Sequence, residues 1–295
     1  MKPVVIAMPK NEQLADALAA SLELERIAAT VRRFPDGESH VQVQTSVDGR
    51  HACIVCTLDR PDEKLVPLLL LACAVREGGA RSVGLVAPYL AYMRQDTRFN
   101  PGETISAQHF AAWICRYFDW LVTVDPHLHR IVDLSQIYSI PSRVVHAADA
   151  VAGWVRLQVR QPLLIGPDEE SAQWASDVAR RANAPFVILT KTRRSDRDVE
   201  VSVPEVKRWR SHTPVLLDDI VSTAQTMIET VGHLRQTGLV APVCVAVHAV
   251  FAQTAFEELR AAGAADIVSC DTIPHPSNRI ALAPAIAASV RELLP

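Results

Sequence analysis

Residues 214–227, PVLLDDIVSTAQTM, decide how the chain is read. The apolar run Val215, Leu216 and Leu217 leads into Asp218-Asp219, and a turn carrying Ser222, Thr223 and Thr226 opens a helical pattern through Met227, Ile228, Val231 and Leu234. This spacing predicts strand, turn and helix. In an α/β sheet, ligands collect outside the carboxyl ends of strands, and a helix start offers unpaired N–H groups and a positive dipole end, so such a stretch can cradle a phosphate. The hydroxyls add donors, and one of two adjacent carboxylates can face a cleft and accept from sugar hydroxyls, because neighbouring strand side chains point to opposite sides. Asp, Ser and Thr are also the commonest helix-capping residues, so the spacing fits a ligand-free turn as well as a sugar-phosphate site.

Outward from this stretch, short β-branched runs alternate with longer helical patterns, which predicts parallel α/β architecture. Predicted strands in the first half are Val4 to Met8, Val41 to Gln44, Ala52 to Thr57, Ser82 to Ala87, Trp120 to Val124 and Ser142 to Val145. In the second half they are Leu163 to Gly166, Phe186 to Thr190, Val199 to Val203, Val215 to Leu217, Val243 to Val247 and Asp266 to Ser269. Helices fill the gaps, notably 63–77, 104–117, 170–183, 223–237 and 253–262, and Ala147 to Val159 reads as the connection between halves. The expectation is two similar, docked α/β domains, 1–148 and 149–295, with the last helix a candidate to pack back on the first.

A chain of 295 residues suits two domains of ordinary size. With 49% hydrophobic and 21% charged residues, disorder is not expected. No apolar run reaches the length of a membrane span, and the N-terminus, MKPVVIAMPKNEQ, reads as a first strand rather than a signal peptide, so the expected compartment is the cytoplasm. A net charge of −3 gives no general nucleic-acid-binding surface. The six cysteines read as reduced core residues, since the lone C-x-x-C, Cys53 and Cys56, lies in an apolar strand and lacks a second pair to complete a zinc site. Neither a Walker loop nor a Rossmann fingerprint is present.

Five constellations carry chemistry. FPDGE, Phe34 to Glu38, is a Pro-Asp-Gly turn followed by the alternating stretch HVQVQ, and it also makes a good turn on its own. In 87–103, Arg94, Gln95, Asp96 and Arg98 lie in a loop after a strand, where arginines suit a polyphosphate or simply pair with surface neighbours. Asp125, His127 and His129 follow the strand at 120–124, and a neutral imidazole there can ligate a divalent metal with Asp125 orienting it. Asp168, Glu169 and Glu170 open a helix, either as favourable charges at its positive end or as part of a Mg²⁺ site. Residues 187–203, VILTKTRRSDRDVEVSV, read as a β-hairpin with Lys191, Arg193 and Arg194 at a cationic tip able to clamp a phosphoryl group during transfer.

FPDGE, YLAYMRQD, DPH, GPD, KTR and DDIVSTAQT occur in the order and approximate spacing of ribose-phosphate diphosphokinases, the synthetases of phosphoribosyl pyrophosphate (PRPP), and the chain resembles that family along nearly its whole length. The KTRRSDRDVEV pattern resembles archaeal-type and divergent bacterial members. The resemblance implies two phosphoribosyltransferase-like domains, a homo-oligomer, Mg²⁺ as cofactor, and ATP and ribose 5-phosphate as substrates. It implies ATP contacts at Phe34, Asp36, Gly37 and Glu38 and at Arg94, Gln95 and Asp96, with the first loop often serving a neighbouring subunit. It also implies metal positions at His127 and Asp168, a catalytic Lys191, an active-site Arg193 that also serves ribose 5-phosphate, and a ribose-5-phosphate loop of Asp218, Asp219, Ser222, Thr223, Ala224, Gln225 and Thr226.

The chain departs from better-known bacterial members in three places. Ser222-Thr-Ala-Gln-Thr226 stands where they have Asp-Thr-Ala-Gly-Thr, Glu169-Glu170-Ser171 replaces glycines after Asp168, and Thr192 follows the lysine where many have Arg. A non-catalytic regulatory homologue and a PRPP-consuming phosphoribosyltransferase are the alternatives. The altered acidic loop suits the first, whereas the second would need a nucleobase pocket that no motif here supplies.

Overall fold

The computed structural model describes residues 2–128, 130–166, 172–195, 198–202 and 206–294, with 190–195, 198–202, 206 and 207 described by their backbone alone. The chain forms two compact units. The first gathers Met1–Val145, Thr272–Pro274 and Leu282–Pro295, and the second His146–Asp271 and His275–Ala281, so the chain does not divide at a single point.

The first unit contains β1 (Val4–Ala7), α1 (Glu12–Leu22), β2 (Glu25–Ile27), β3 (Ala29–Arg33), β4 (Ser39–Val43), β5 (His51–Val55), α2 (Pro61–Glu77), β6 (Ser82–Ala87), α3 (Ser106–Tyr117), β7 (Trp120–Val124) and β8 (Ser142–Val145). The second contains α4 (Ala148–Gln158), β9 (Pro162–Gly166), α5 (Ala172–Ala182), β10 (Phe186–Ile188), β11 (Thr190–Ser195), β12 (Asp198–Ser202), β13 (Thr213–Val221), α6 (Gln225–Gln236), β14 (Val243–Ala249), α7 (Ala255–Ala261), β15 (Asp266–Cys270) and β16 (Asn278–Ile280). The chain then returns to the first unit as α8 (Ala283–Leu293).

Each unit is built on a six-stranded sheet, ordered β2-β1-β5-β6-β7-β8 in the first and β10-β9-β13-β14-β15-β16 in the second. Every pairing within these sheets is parallel. A parallel sheet covered on both faces needs strands that are apolar throughout, and β1, β7 and β14 are buried at every position. In both units the chain steps outward by one strand, makes an antiparallel hairpin, β3–β4 or β11–β12, and comes back to the other side of the first strand. That reversal makes a topological switch point at β1/β5 and another at β9/β13, the crevices where open α/β sheets bind ligands.

Several elements differ from the sequence-based expectation. Residues 148–158 form helix α4, with Val151, Ala152 and Val155 buried and Asp149 paired with Arg181 of α5, where a connection was expected. Strands β2, β3 and β16 were not anticipated, being short and only partly buried. The terminal helix α8 is held in the first unit, where Arg291 Nη2 donates to Ser21 O at 2.9 Å and Glu292 pairs with Arg143 at 2.8 Å. All six cysteines are free; Cys73 and Cys115 are half-buried rather than core, and burial pushes the Cys53, Cys56 and Cys244 thiols up to about 12. Among the described residues no helix is long and apolar enough to cross a membrane.

Gly84 of β6 lies opposite Trp120 of β7, and a Cβ at Gly84 would fall inside the indole ring. Gly84→Ala is therefore expected to lower the unfolding free energy by about 1–3 kcal/mol through overpacking, measured by urea denaturation.

Candidate functional site

In the second unit β13 runs four residues past Leu217 and includes the acidic pair, rather than ending before it. Asp218 and Asp219 are half-buried at its carboxyl end and point to opposite sides of the strand. Asp218 Oδ1 accepts from the Asp219 N–H at 2.9 Å, and Asp219 Oδ1 accepts from the Ile220 N–H at 2.7 Å, which restrains both side chains. The turn Ser222 to Ala224 then delivers the chain into α6.

Ala224 adopts the left-handed conformation (φ 57°, ψ 8°), and its carbonyl accepts the first helical bond from Ile228 N at 2.8 Å. Gln225 is the first helical residue and does not have a positive φ, so the glycine-to-glutamine departure imposes no strain there. Ala224 at the α6 N-cap makes no side-chain cap bond, and the first turn of the helix holds no acidic residue. Thr223 and Gln225 are exposed, Ser222 and Thr226 half-buried, and Ala224, Met227, Val231 and Leu234 belong to the core beneath. A seated turn followed by an uncapped helix start has the donors and the dipole needed to hold an anion.

The hairpin reading needs a correction. Lys191 and Arg193 lie within β11, opposite Val201 and Val199 of β12, and not at a tip. Nearby in the topology, β9 ends at Gly166 beside β13, and Asp168 beyond it lies outside the described residues, as do Glu169 and Glu170.

In the first unit the FPDGE segment closes the β3–β4 hairpin. The Phe34 N–H donates to Glu38 O at 2.8 Å, the Gly37 N–H to Phe34 O at 2.9 Å, and Asp36 Oδ1 accepts from the Glu38 N–H at 3.1 Å. Gly37 takes φ +95°, a conformation L side chains rarely adopt. Phe34, Asp36 and Glu38 are exposed, and the Arg32 guanidinium lies 4.9 Å from the Phe34 ring centre. The hairpin leans on α2, with Arg33 Nη2 donating to Glu63 O at 2.8 Å.

Residues 88–103 leave the carboxyl end of β6. Arg94 and Gln95 are exposed, but the Asp96 side chain is only 5% exposed and accepts from both the Arg130 N–H (3.0 Å) and its guanidinium (3.1 Å). Asp96 therefore ties this loop to the one after β7. Tyr92 donates its hydroxyl to Asp62 of α2, and that bond to a carboxylate pushes the phenol up to about 12. A cavity of about 420 Å³ opens here, lined by Tyr92, Thr104, Ser106, His109, Phe110 and Trp113.

His127 is half-buried in the loop after β7, next to Asp125, whose φ of 28° marks a sharp turn off the strand. His129 lies outside the described residues. Among the described residues no group of three or more His, Cys, Asp and Glu is arranged to hold a metal ion. Sequence reading missed Arg130, Asp62 and the backbone bond from the Ala252 N–H to Ser222 O at 3.0 Å. The first two carry only an ordinary charge, and the third has no side-chain signal at all.

Residues 3–117 match the model of the N-terminal domain of ribose phosphate pyrophosphokinase, and residues 133–284 match the phosphoribosyl transferase domain. A ribose-phosphate pyrophosphokinase of Methanopyrus kandleri is 34% identical over 292 residues, 98% of this chain and 99% of that protein. One from Halobacterium salinarum is 32% identical over 286 residues, 96% and 99% of the respective chains. The crystal structure of phosphoribosylpyrophosphate synthetase from Mycobacterium smegmatis superposes with a TM-score of 0.86 at 25% identity, covering 99% of each chain.

The geometry separates two neighbouring residues of the loop at 88–103. Asp96→Ala should lower stability by about 1–3 kcal/mol, because a mostly buried acceptor of two bonds is removed. Arg94→Ala, at an exposed position, should stay within about 0.5 kcal/mol of the parent in the same denaturation experiment.

Proposed function

The chain belongs to the ribose-phosphate pyrophosphokinase family, and on that premise we propose that it transfers the β,γ-diphosphoryl group of ATP to O1 of ribose 5-phosphate, giving PRPP and AMP. The observation that carries this reading is the uncapped start of α6, free of acidic residues, directly after the carboxylate pair of β13 at a switch point. A sugar 5-phosphate suits both parts at once: the N–H groups and hydroxyls of 222–226 take the phosphate, and Asp218 and Asp219 accept from ribose hydroxyls.

In the reaction, O1 of ribose 5-phosphate bonds to the β-phosphorus as the bridge to the α-phosphorus breaks, AMP leaves with the bonding electrons, and the O1 proton is released. The chain's contribution is positioning and charge stabilisation. Lys191 and Arg193, two residues apart in β11, are assigned to the charge on the transferred group. Phe34, Asp36, Gly37 and Glu38 in the exposed β3–β4 turn, together with Arg94 and Gln95, are assigned to ATP, the turn serving a neighbouring copy in a homo-oligomer. Asp168 and half-buried His127 would hold Mg²⁺ as a partial donor set, in keeping with the few protein groups such an ion takes. When bound, the ion neutralises phosphate charge.

Purified protein given ATP, MgCl₂ and ribose 5-phosphate should form AMP and PRPP in equal amounts, and EDTA should stop both. Lys191→Ala should lower turnover by about 10²–10³-fold with an unchanged far-ultraviolet circular dichroism spectrum. AMP formation without PRPP, or an unchanged rate in the variant, would remove the corresponding assignment.

A further inference from the structure

The segment returning from β15 to β16 carries an imidazole seated among aromatic rings. The His275 ring lies 4.9 Å from Phe251 at 32° and 4.9 Å from Phe256 at 73°, and the two phenyl rings meet edge to face at 5.3 Å. Its Nδ1 sits 2.7 Å from Ser277 Oγ and accepts from the Ser277 N–H at 3.2 Å. Ser277 Oγ lies 2.7 Å from Ser269 Oγ, which accepts from Asn278 Nδ2 at 2.9 Å. A backbone N–H can only donate, so Nδ1 is an acceptor and the ring proton belongs on Nε2. The seat is built for neutral imidazole.

Phe251 links this seat to the candidate site. The next residue, Ala252, donates its N–H to Ser222 O at 3.0 Å, at the point where β13 gives way to the turn into α6. From the other end the turn is anchored by Ala224 and Met227 in the core. Between the two anchors lie the groups assigned to the 5-phosphate. We propose that His275 is a positioning residue for the loop Ser222 to Thr226, clamping Phe251 and with it the Ala252 N–H that holds Ser222. The substrate consequence rests on the reading of that loop as the ribose 5-phosphate site.

The clamp is sensitive to pH. Protonation places a hydrogen on Nδ1, removes the acceptor from the Ser277 N–H and charges a half-buried ring lying against two phenyl rings. Burial holds the His275 pKa below its ordinary value, against Glu257 of α7, which favours the charged form. On the other elements around the ring, Glu258 of α7 accepts from Thr254 Oγ1 at 2.7 Å, and Asp266 of β15 is paired with Arg279. Asp271 lies just past β15, and the stretch 250–254 has no titratable side chain. A histidine whose folded pKa lies below its unfolded value is stabilising as the neutral form, so the clamp is complete above about pH 6.5 and is lost as pH falls through the folded value.

The test compares wild type with His275→Ala and His275→Phe, reading steady-state constants and hydrogen exchange of the 222–226 amides. His275→Ala should raise KM for ribose 5-phosphate about tenfold at pH 8, leave kcat and KM for ATP within about twofold, and speed exchange in the loop. His275→Phe, which keeps a ring against Phe251 but offers the Ser277 N–H no acceptor and cannot titrate, should recover part of the KM rise at pH 8 and show no further rise in loop exchange as pH falls. Unchanged KM and exchange in folded His275→Ala overturn the proposal. If that variant does not fold, Phe251→Leu, which removes the ring beside His275, should speed exchange at 222–226, and unchanged exchange there overturns the proposal equally. Should wild type bind no ribose 5-phosphate, the reading of the loop fails, while exchange at 222–226 still decides whether His275 holds it.

Discussion

The second unit depends on the enclosure of β13 between two parallel partners of unequal length. Its pairing with β9 runs from Thr213 to Leu216, whereas its pairing with β14 continues to Val221. Val215 and Leu216 are fully buried where both neighbours pair, Leu217 is buried one step on, and polarity begins at Asp218. A carboxylate inside the doubly flanked part would carry an uncompensated desolvation penalty. Placed one step later, Asp218 and Asp219 accept the Asp219 and Ile220 N–H groups, and the strand continues along β14 alone. Past its pairing with β9 the strand thus carries two carboxylates into the turn before a helix start.

The two units share one topology, but their switch points differ chemically. At the carboxyl end of β5 the first unit uses its own groups: Asn11, 3% exposed, accepts the Thr57 N–H at 2.7 Å, Thr57 Oγ1 donates to Thr272 O at 2.6 Å, and Lys64 Nζ donates to Thr57 O at 3.0 Å. The helix that follows, α2, opens with proline and carries Asp62 and Glu63 in its first turn. Proline removes one free N–H, and the acids neutralise the positive end of the dipole. By contrast α6 opens on Gln225 with neither feature. Duplicated topology therefore offers two crevices, and local sequence leaves the helix start free of proline and acids in one of them.

What was legible in the sequence was whatever repeats locally. The parallel α/β class followed from alternating β-branched runs and helical patterns, and the family resemblance followed from six short motifs in order. The run of β13 through two aspartates was hidden because Asp is a poor strand former, and its extension depends on β14 having length to spare. Helix α4 escaped because its apolar face, Val151, Ala152 and Val155, is short and interrupted by Gly153. The bond between Asp96 and Arg130 joins residues 34 positions apart, and nothing in either segment names its partner. His275 carries no signal in the sequence, because its surroundings are two phenylalanines on other segments and a backbone N–H.

The altered turn at 222–226 shows how the departure from the bacterial pattern is absorbed. A glycine at 225 supplies backbone freedom, but the left-handed residue is Ala224, and Gln225 already has a helical backbone. A left-handed L-residue costs roughly 1–2 kcal/mol. The Ala224 side chain is 7% exposed and packs into the core of the second unit, a burial worth about 0.8 kcal/mol for one carbon, which offsets much of that strain. Gln225 in turn donates from Nε2 to Glu229 Oε1 at 3.0 Å one helical turn on, so its side chain is drawn along α6. The Ala224 methyl, common to both patterns, fixes the turn from beneath, and the Gln225 side chain lies along the helix surface, so the glycine-to-glutamine change does not engage the first-turn N–H groups.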